Sequence, residues 1–189
     1  MQKKNLIYLI VAVLVLVGLG LTAKNVMSNA NRSDTELISF AIEDTLAIDK
    51  IIISEPNGMT FELKRSGDVW VDKDDNSIIQ EHVKTIMEAF KNIEFKGYVT
   101  ENSKKQHIKM LSANSKRVEI YQNGDWVKTW YIGTSTPDHY GQVMLLDSEE
   151  DGKSDLPVLM KIKGFNGIID PRFFADARKW ECTEIFSLA

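Results

Sequence analysis

Cysteine and histidine are scarce in this 189-residue chain, and each scarcity removes a class of chemistry. The single cysteine, Cys182, excludes a disulfide framework. Glu181 and Glu184 lie beside it, and neighbouring carboxylates disfavour the thiolate that nucleophilic catalysis requires. The three histidines, His82, His107 and His139, are scattered, with no pair spaced i, i+4 around a glutamate as metal ligation on a helix needs. No Gly-x-Ser-x-Gly elbow and no phosphate-cradling glycine loop occurs. The expectation is a protein that is not an enzyme, with no cofactor and no metal. Positive charge is also short: 23 Lys and Arg stand against 27 Asp and Glu. No basic and aromatic cluster offers phosphates a surface, so nucleic acid is excluded as a partner class. On the same acidic average, an anionic lipid surface is a poor partner too.

What the chain does have is one long uncharged apolar run. Residues 6–23 read Leu-Ile-Tyr-Leu-Ile-Val-Ala-Val-Leu-Val-Leu-Val-Gly-Leu-Gly-Leu-Thr-Ala. As a helix they would cover roughly 27 Å, close to the hydrocarbon thickness of a bilayer. Lys3 and Lys4 before the run and Ser28-Asn29-Ala30 after it also resemble a cleaved signal. The core is too long for one, however, and Lys24 separates it from the cleavage-like residues, so an uncleaved anchor is the expectation. Lys24 and Arg32 nearly balance Lys3 and Lys4; the signal-like layout favours a cytoplasmic amino terminus and an extracytoplasmic body. A lone cysteine suits that compartment, since no disulfide is needed. The division is then an anchor at 1–24, a polar tether at 25–38 and one domain at 39–189. All 27 acidic residues lie in the tether and the domain.

The domain alternates strand and helix patterns. Ile51-Ile52-Ile53 and Thr60-Phe61-Glu62-Leu63-Lys64 flank Asn57-Gly58, the signature of a two-residue type I′ hairpin, and Val69-Trp70-Val71 adds a third strand. Ser77 and Gln80 form a capping box, and Ile79, Val83, Ile86, Met87 and Phe90 mark one helical stripe. A weaker helix spans Ser103 to Leu111. Strands follow at Val118–Tyr121, at Trp126–Ile132 after a second Asn-Gly at Asn123-Gly124, at Gln142–Leu146 and at Val158–Ile162. Asp170-Pro171 opens a short closing helix. The order predicts an α+β fold: a mostly antiparallel sheet carrying one long and one or two short helices, preceded by one transmembrane helix.

Several motifs together carry a family resemblance. They are Phe40-Ala41-Ile42-Glu43-Asp44-Thr45, Trp70, Tyr131-Ile132-Gly133, the stretch Gly141 to Leu146, Gly164-Phe165-Asn166-Gly167, Pro171-Arg172-Phe173, and Trp180 with Ile185-Phe186-Ser187-Leu188. In their order the chain resembles the bacterial family called domain of unknown function 4340, over nearly all of the body. The resemblance implies an amino-terminal membrane helix, a place in the bacterial cytoplasmic membrane, and an accessory role beside an ABC-type transporter or envelope protein. Glu181, Cys182 and Thr183 depart from the basic residues expected after Trp180, and longer relatives continue past the position of Ala189.

Three places could carry function. Gly164, Phe165, Asn166 and Gly167, with Arg172 nearby, form the leading interaction site: Phe165 either projects as a docking knob or plugs the core. Trp126 and Trp130, expected to share a strand face with Ile132, could with Tyr140 stack a glycan or peptide; burial in the core is the plainer fate of such rings. Residues 147–155 partly copy a calcium loop, but position 3 is Glu149 and position 12 is Val158, so an acidic surface loop is expected.

Overall fold

The chain divides between Glu36 and Leu37, and the structure, a computed structural model, describes residues 38–181 of the second unit. The anchor at 6–23 and the tether at 25–37 lie outside the described residues, as do residues 182–189 of the closing motif. Among the described residues no helix is long and apolar enough to cross a membrane.

Period-two patterning builds the body as one sheet. The strands are β1 (Ile48–Ser54), β2 (Thr60–Ser66), β3 (Val69–Asp72), β4 (Ile93–Tyr98), β5 (Lys116–Gln122), β6 (Asp125–Ser135), β7 (Gln142–Ser148), β8 (Gly152–Lys153) and β9 (Val158–Ile162). Two helices interrupt them, α1 (Gln80–Asn92) and α2 (Glu101–Asn114). The order across the sheet is β3-β2-β1-β5-β6-β7-β9-β4, with β8 against β7, and every pairing is antiparallel. The fold is α+β, as expected. β4 was not foreseen: it follows α1 without a break and pairs with β9 along Ile93↔Ile162.

The two Asn-Gly turns differ. Asn123 and Gly124 have φ of 54° and 89°, the left-handed pair that a type I′ turn demands. At the first turn only Gly58 is left-handed, and the closing bond runs from the Glu55 N–H to the Met59 carbonyl at 2.8 Å. The cause is Pro56. A two-residue loop would make Pro56 and Met59 the closing pair, and proline has no N–H to give. The loop lengthens by one residue at the start, and Glu55 closes it instead.

One face of the sheet, the inner face, carries nearly all of the core. Ile51, Ile53, Leu63, Val118, Ile120, Trp130, Ile132, Met144 and Met160 meet Val83, Ile86 and Phe90 of α1. The Trp130 ring lies edge-on to Phe90 at 5.0 Å and to Phe40 at 5.9 Å. Lys128 ties the segment around Phe40 to β6 by donating to the Ser39 and Ala41 carbonyls at 2.6 and 2.9 Å. Burial pushes its ammonium below the usual lysine pKa. The capping box does not form: α1 begins at Gln80, whose amide instead bonds the N–H and carbonyl of Trp70, because Ser77 and Ile78 are extended in bridges to Val71 and Glu181. The outer face is thinner. There α2 seats Leu111 on Val143 and Leu145.

Candidate functional site

The chain that leaves β9 crosses back over the inner face and builds the candidate loop on its way. Lys163 donates its N–H to the Asn92 carbonyl at the end of α1 (2.8 Å), and Phe165 donates to Ile162 (3.1 Å). Gly164 takes φ of 72°, a conformation costly for any residue with a Cβ. The turn puts the Phe165 ring beneath the Arg172 guanidinium, 4.1 Å from the ring centroid. The ring also lies against Gly167, where a Cβ would collide with it. Gly164, Phe165, Gly167 and Arg172 are therefore one assembly, with exposed Asn166 at its tip. Phe165 keeps 41% of its surface and does not plug the core. Burial lowers the pKa of half-buried Arg172, opposed by the charge of Glu88 on α1.

A polar cluster holds the base of this assembly. Gln142 is buried at the start of β7; its side-chain carbonyl accepts from the backbone of Ile169 and Asp170, both at 2.9 Å. Its amide donates to the Gly133 carbonyl at 2.7 Å. Lys116 sends its ammonium to the Asp170 carboxylate (2.9 Å), the Asp170 carbonyl (3.1 Å) and the Phe173 carbonyl. The Glu55 carboxylate stands 3.9 Å from the same ammonium and accepts from the Ala175 N–H at 3.0 Å. Phe173 then fills the core beside Phe90 and Trp130. Beside the cluster opens a cleft of about 390 Å³, bordered by Glu55, Asn114, Lys116, Thr134, Ser135 and Asp170. Sequence reasoning missed this group. Its one signal is Gln142, a polar residue leading an otherwise apolar strand run.

The tryptophan platform does not exist. Trp130 is 0% exposed among phenylalanines, while Trp126 is half-buried and donates from its indole to Thr129 at 2.8 Å. The register of β5 and β6 shifts between Ile120 and Tyr121, so Trp126 pairs with Tyr121. That bulge turns Trp126 to the outer face and leaves Trp130 and Ile132 on the inner one. Tyr140 is exposed on the β6–β7 loop. The acidic stretch is the β7–β8 turn, with Asp147 opposite Lys153. Among the described residues no group of three His, Cys, Asp or Glu gathers as metal ligands would.

Fold and site together define an antiparallel α+β domain that displays a preorganised aromatic loop. Comparison with family models, with characterised proteins and with solved structures finds no match for this chain. These comparisons add no support to the family resemblance read from the sequence motifs.

Proposed function

We propose that the protein is a membrane-tethered, non-enzymatic accessory module of a bacterial transport or cell-envelope system, working by docking. The anchor at residues 6–23 would hold it to the cytoplasmic membrane, with the body on the periplasmic side. The observation that carries the reading is the Phe165 assembly: an exposed ring held against Arg172 and Gly167. A large aromatic surface held in place before contact loses little entropy on contact, which is how anchor residues of interfaces work. The ring's counterpart lies in the same membrane, beside the transporter or envelope protein that the resemblance implies.

Backbone hydrogen exchange of the full chain tests this. In native membranes, residues 163–174 exchange more slowly than in detergent, and Phe165→Ala removes the difference while β5 and β6 stay protected. Equal exchange of the loop in both settings would end the docking reading. The cleft beside Lys116 supports a second reading, the binding of a small extracytoplasmic ligand such as a short peptide or glycan. Its volume of about 390 Å³ falls within the range of small-molecule sites.

A further inference from the structure

The loop is one end of a longer strip. Along α1 the closing segment lays down cations and rings in turn. Near the first turn, Phe174 packs edge-on against His82 at 5.2 Å, and the Lys179 ammonium sits over the Phe174 ring at 5.5 Å. Further along, Arg172 covers Phe165 within the field of Glu88. At the helix end, Lys163 is bonded through its backbone to Asn92, next to Lys91. From His82 to Asn92 the helix rises about 15 Å. Lys91, Lys163 and Lys179 are exposed, and with Arg172 they make no ion pair among the described residues. Of the acids alongside, Glu81 pairs with Lys84 at 3.5 Å and Asp176 with Arg178 at 2.8 Å, leaving Glu88 and exposed Glu181 to oppose the four cations. On a chain whose net charge is −4, this strip is locally basic.

We infer that this strip, with Phe165 at its end, docks onto the anionic headgroups of the bilayer to which the chain is tethered. The inference rests on the tethered-module reading and assigns its contact face to lipid. Two observations choose lipid over an acidic protein. Unpaired cations spaced along a line, with rings between them, fit a charged surface that also admits apolar edges. The second is the length of chain outside the structure. Thirty-seven residues precede Ile38, and those after the apolar run extend to about 50 Å at most. A body on that tether never leaves the neighbourhood of the headgroups, so weak adsorption suffices. The acidic average of the whole chain conceals this face, because folding gathers its cations along α1.

Full-length protein in phosphatidylcholine nanodiscs, with and without phosphatidylglycerol, provides the test. Hydrogen exchange over residues 84–92 and 163–176 slows at least tenfold when phosphatidylglycerol is present, and high salt reverses it. Each basic side chain near an anionic leaflet strengthens adsorption roughly fivefold, so Lys91→Glu with Lys163→Glu abolishes the slowing. Both positions are exposed, so the fold survives; unchanged exchange in β5 and β6 verifies that. Equal exchange with and without phosphatidylglycerol overturns the proposal, as does a slowing indifferent to salt. Protection in native membranes without protection on phosphatidylglycerol assigns the face to a protein and also overturns it. Alkaline extraction from the nanodiscs reads the anchor separately: release of the chain refutes the tether, whatever the exchange reports.

Discussion

α1 and α2 differ by one residue in length, yet they hold the sheet in different ways. α1 drives Val83, Ile86, Ala89 and Phe90 into the inner face, where the closing segment adds Ile169, Phe173 and Trp180. α2 buries Leu111 alone. Its other residues are polar, half-buried or, like Met110, exposed, and apolar hollows of about 140 and 220 Å³ flank it. The comparison teaches where the stability lies. Burial of apolar area is the main favourable term in folding, so the inner face supplies most of the cooperative stability. The outer helix can open locally without unfolding the rest.

The largest expected effect follows directly. Trp130→Ala removes the ring around which Phe40, Phe90 and Phe173 pack, and should cost about 3–5 kcal/mol in denaturant unfolding. Leu111→Ala should cost less, about 2–3 kcal/mol, since neighbouring hollows give the side chains room to relax. Hydrogen exchange in α2 should rise sharply while α1 stays protected. If the two substitutions cost the same, or α1 opens together with α2, the contrast between the faces is wrong.

Lys116→Ala probes the seam between the sheet and the closing segment. It leaves the Asp170 carboxylate and the Asp170 and Phe173 carbonyls without their donor. Breaking a buried pair costs about 3–5 kcal/mol, but Asp170 is partly solvated, so about 2 kcal/mol is expected. The useful readout is local. Amides of residues 163–175 should exchange faster and the Phe165 assembly should loosen, while the β1–β5 pairing holds. Unchanged exchange there would mean that Phe173 alone anchors the segment.

How far the sequence could be read follows from the kind of interaction involved. The α1 stripe and the Asn123-Gly124 turn were legible because their physics is local: helical periodicity in one case, positive φ at two residues in the other. The first hairpin was misread for a local reason too, since the missing N–H of Pro56 moves the closing pair to Glu55 and Met59. The tryptophans were misplaced because one inserted residue in β6 reverses every side chain before it, and no composition marks that bulge. β4 hid directly behind α1 with no turn residue between. At the candidate site, Gly164, Phe165 and Gly167 could be picked out as glycines around an aromatic residue, but whether the ring is exposed or plugs the core could not. Lys116, Glu55 and Gln142 could not, because their partners in the closing segment lie 27 to 120 positions away in the chain.

Gly133→Ala tests the outer face from below. A Cβ at Gly133 would stand 2.7 Å from the Leu111 side chain and 3.0 Å from the Val143 carbonyl. The leucine can swing away but the carbonyl cannot, so a cost of about 1–2 kcal/mol is expected. Leu111 should be displaced and α2 made labile, with the inner face unaffected. Combining Gly133→Ala with Leu111→Ala should then cost less than the two separately, because the shorter side chain relieves the collision. Simple additivity would show that Gly133 is not the seat of α2.

The smallest effect belongs to the β6–β7 loop, where Asp138 draws three donors together. Lys96 reaches its carboxylate at 2.7 Å, the Tyr140 N–H at 3.1 Å, and the Thr136 hydroxyl donates as well. These bonds, led by the one from Lys96, hold the carboxyl far below its ordinary value of 3.8. A group whose pKa falls on folding contributes stability in full above its unfolded pKa and loses it as pH drops toward the folded value. Asp138→Asn should therefore be destabilising at neutral pH, modestly because the carboxylate is solvent-exposed. The gap between the two proteins should stay constant down to about pH 5 and close as the medium is acidified further. A gap that persists unchanged into strong acid would mean that Asp138 acts through the shape of its turn, through bonds that asparagine also loses but that do not depend on charge.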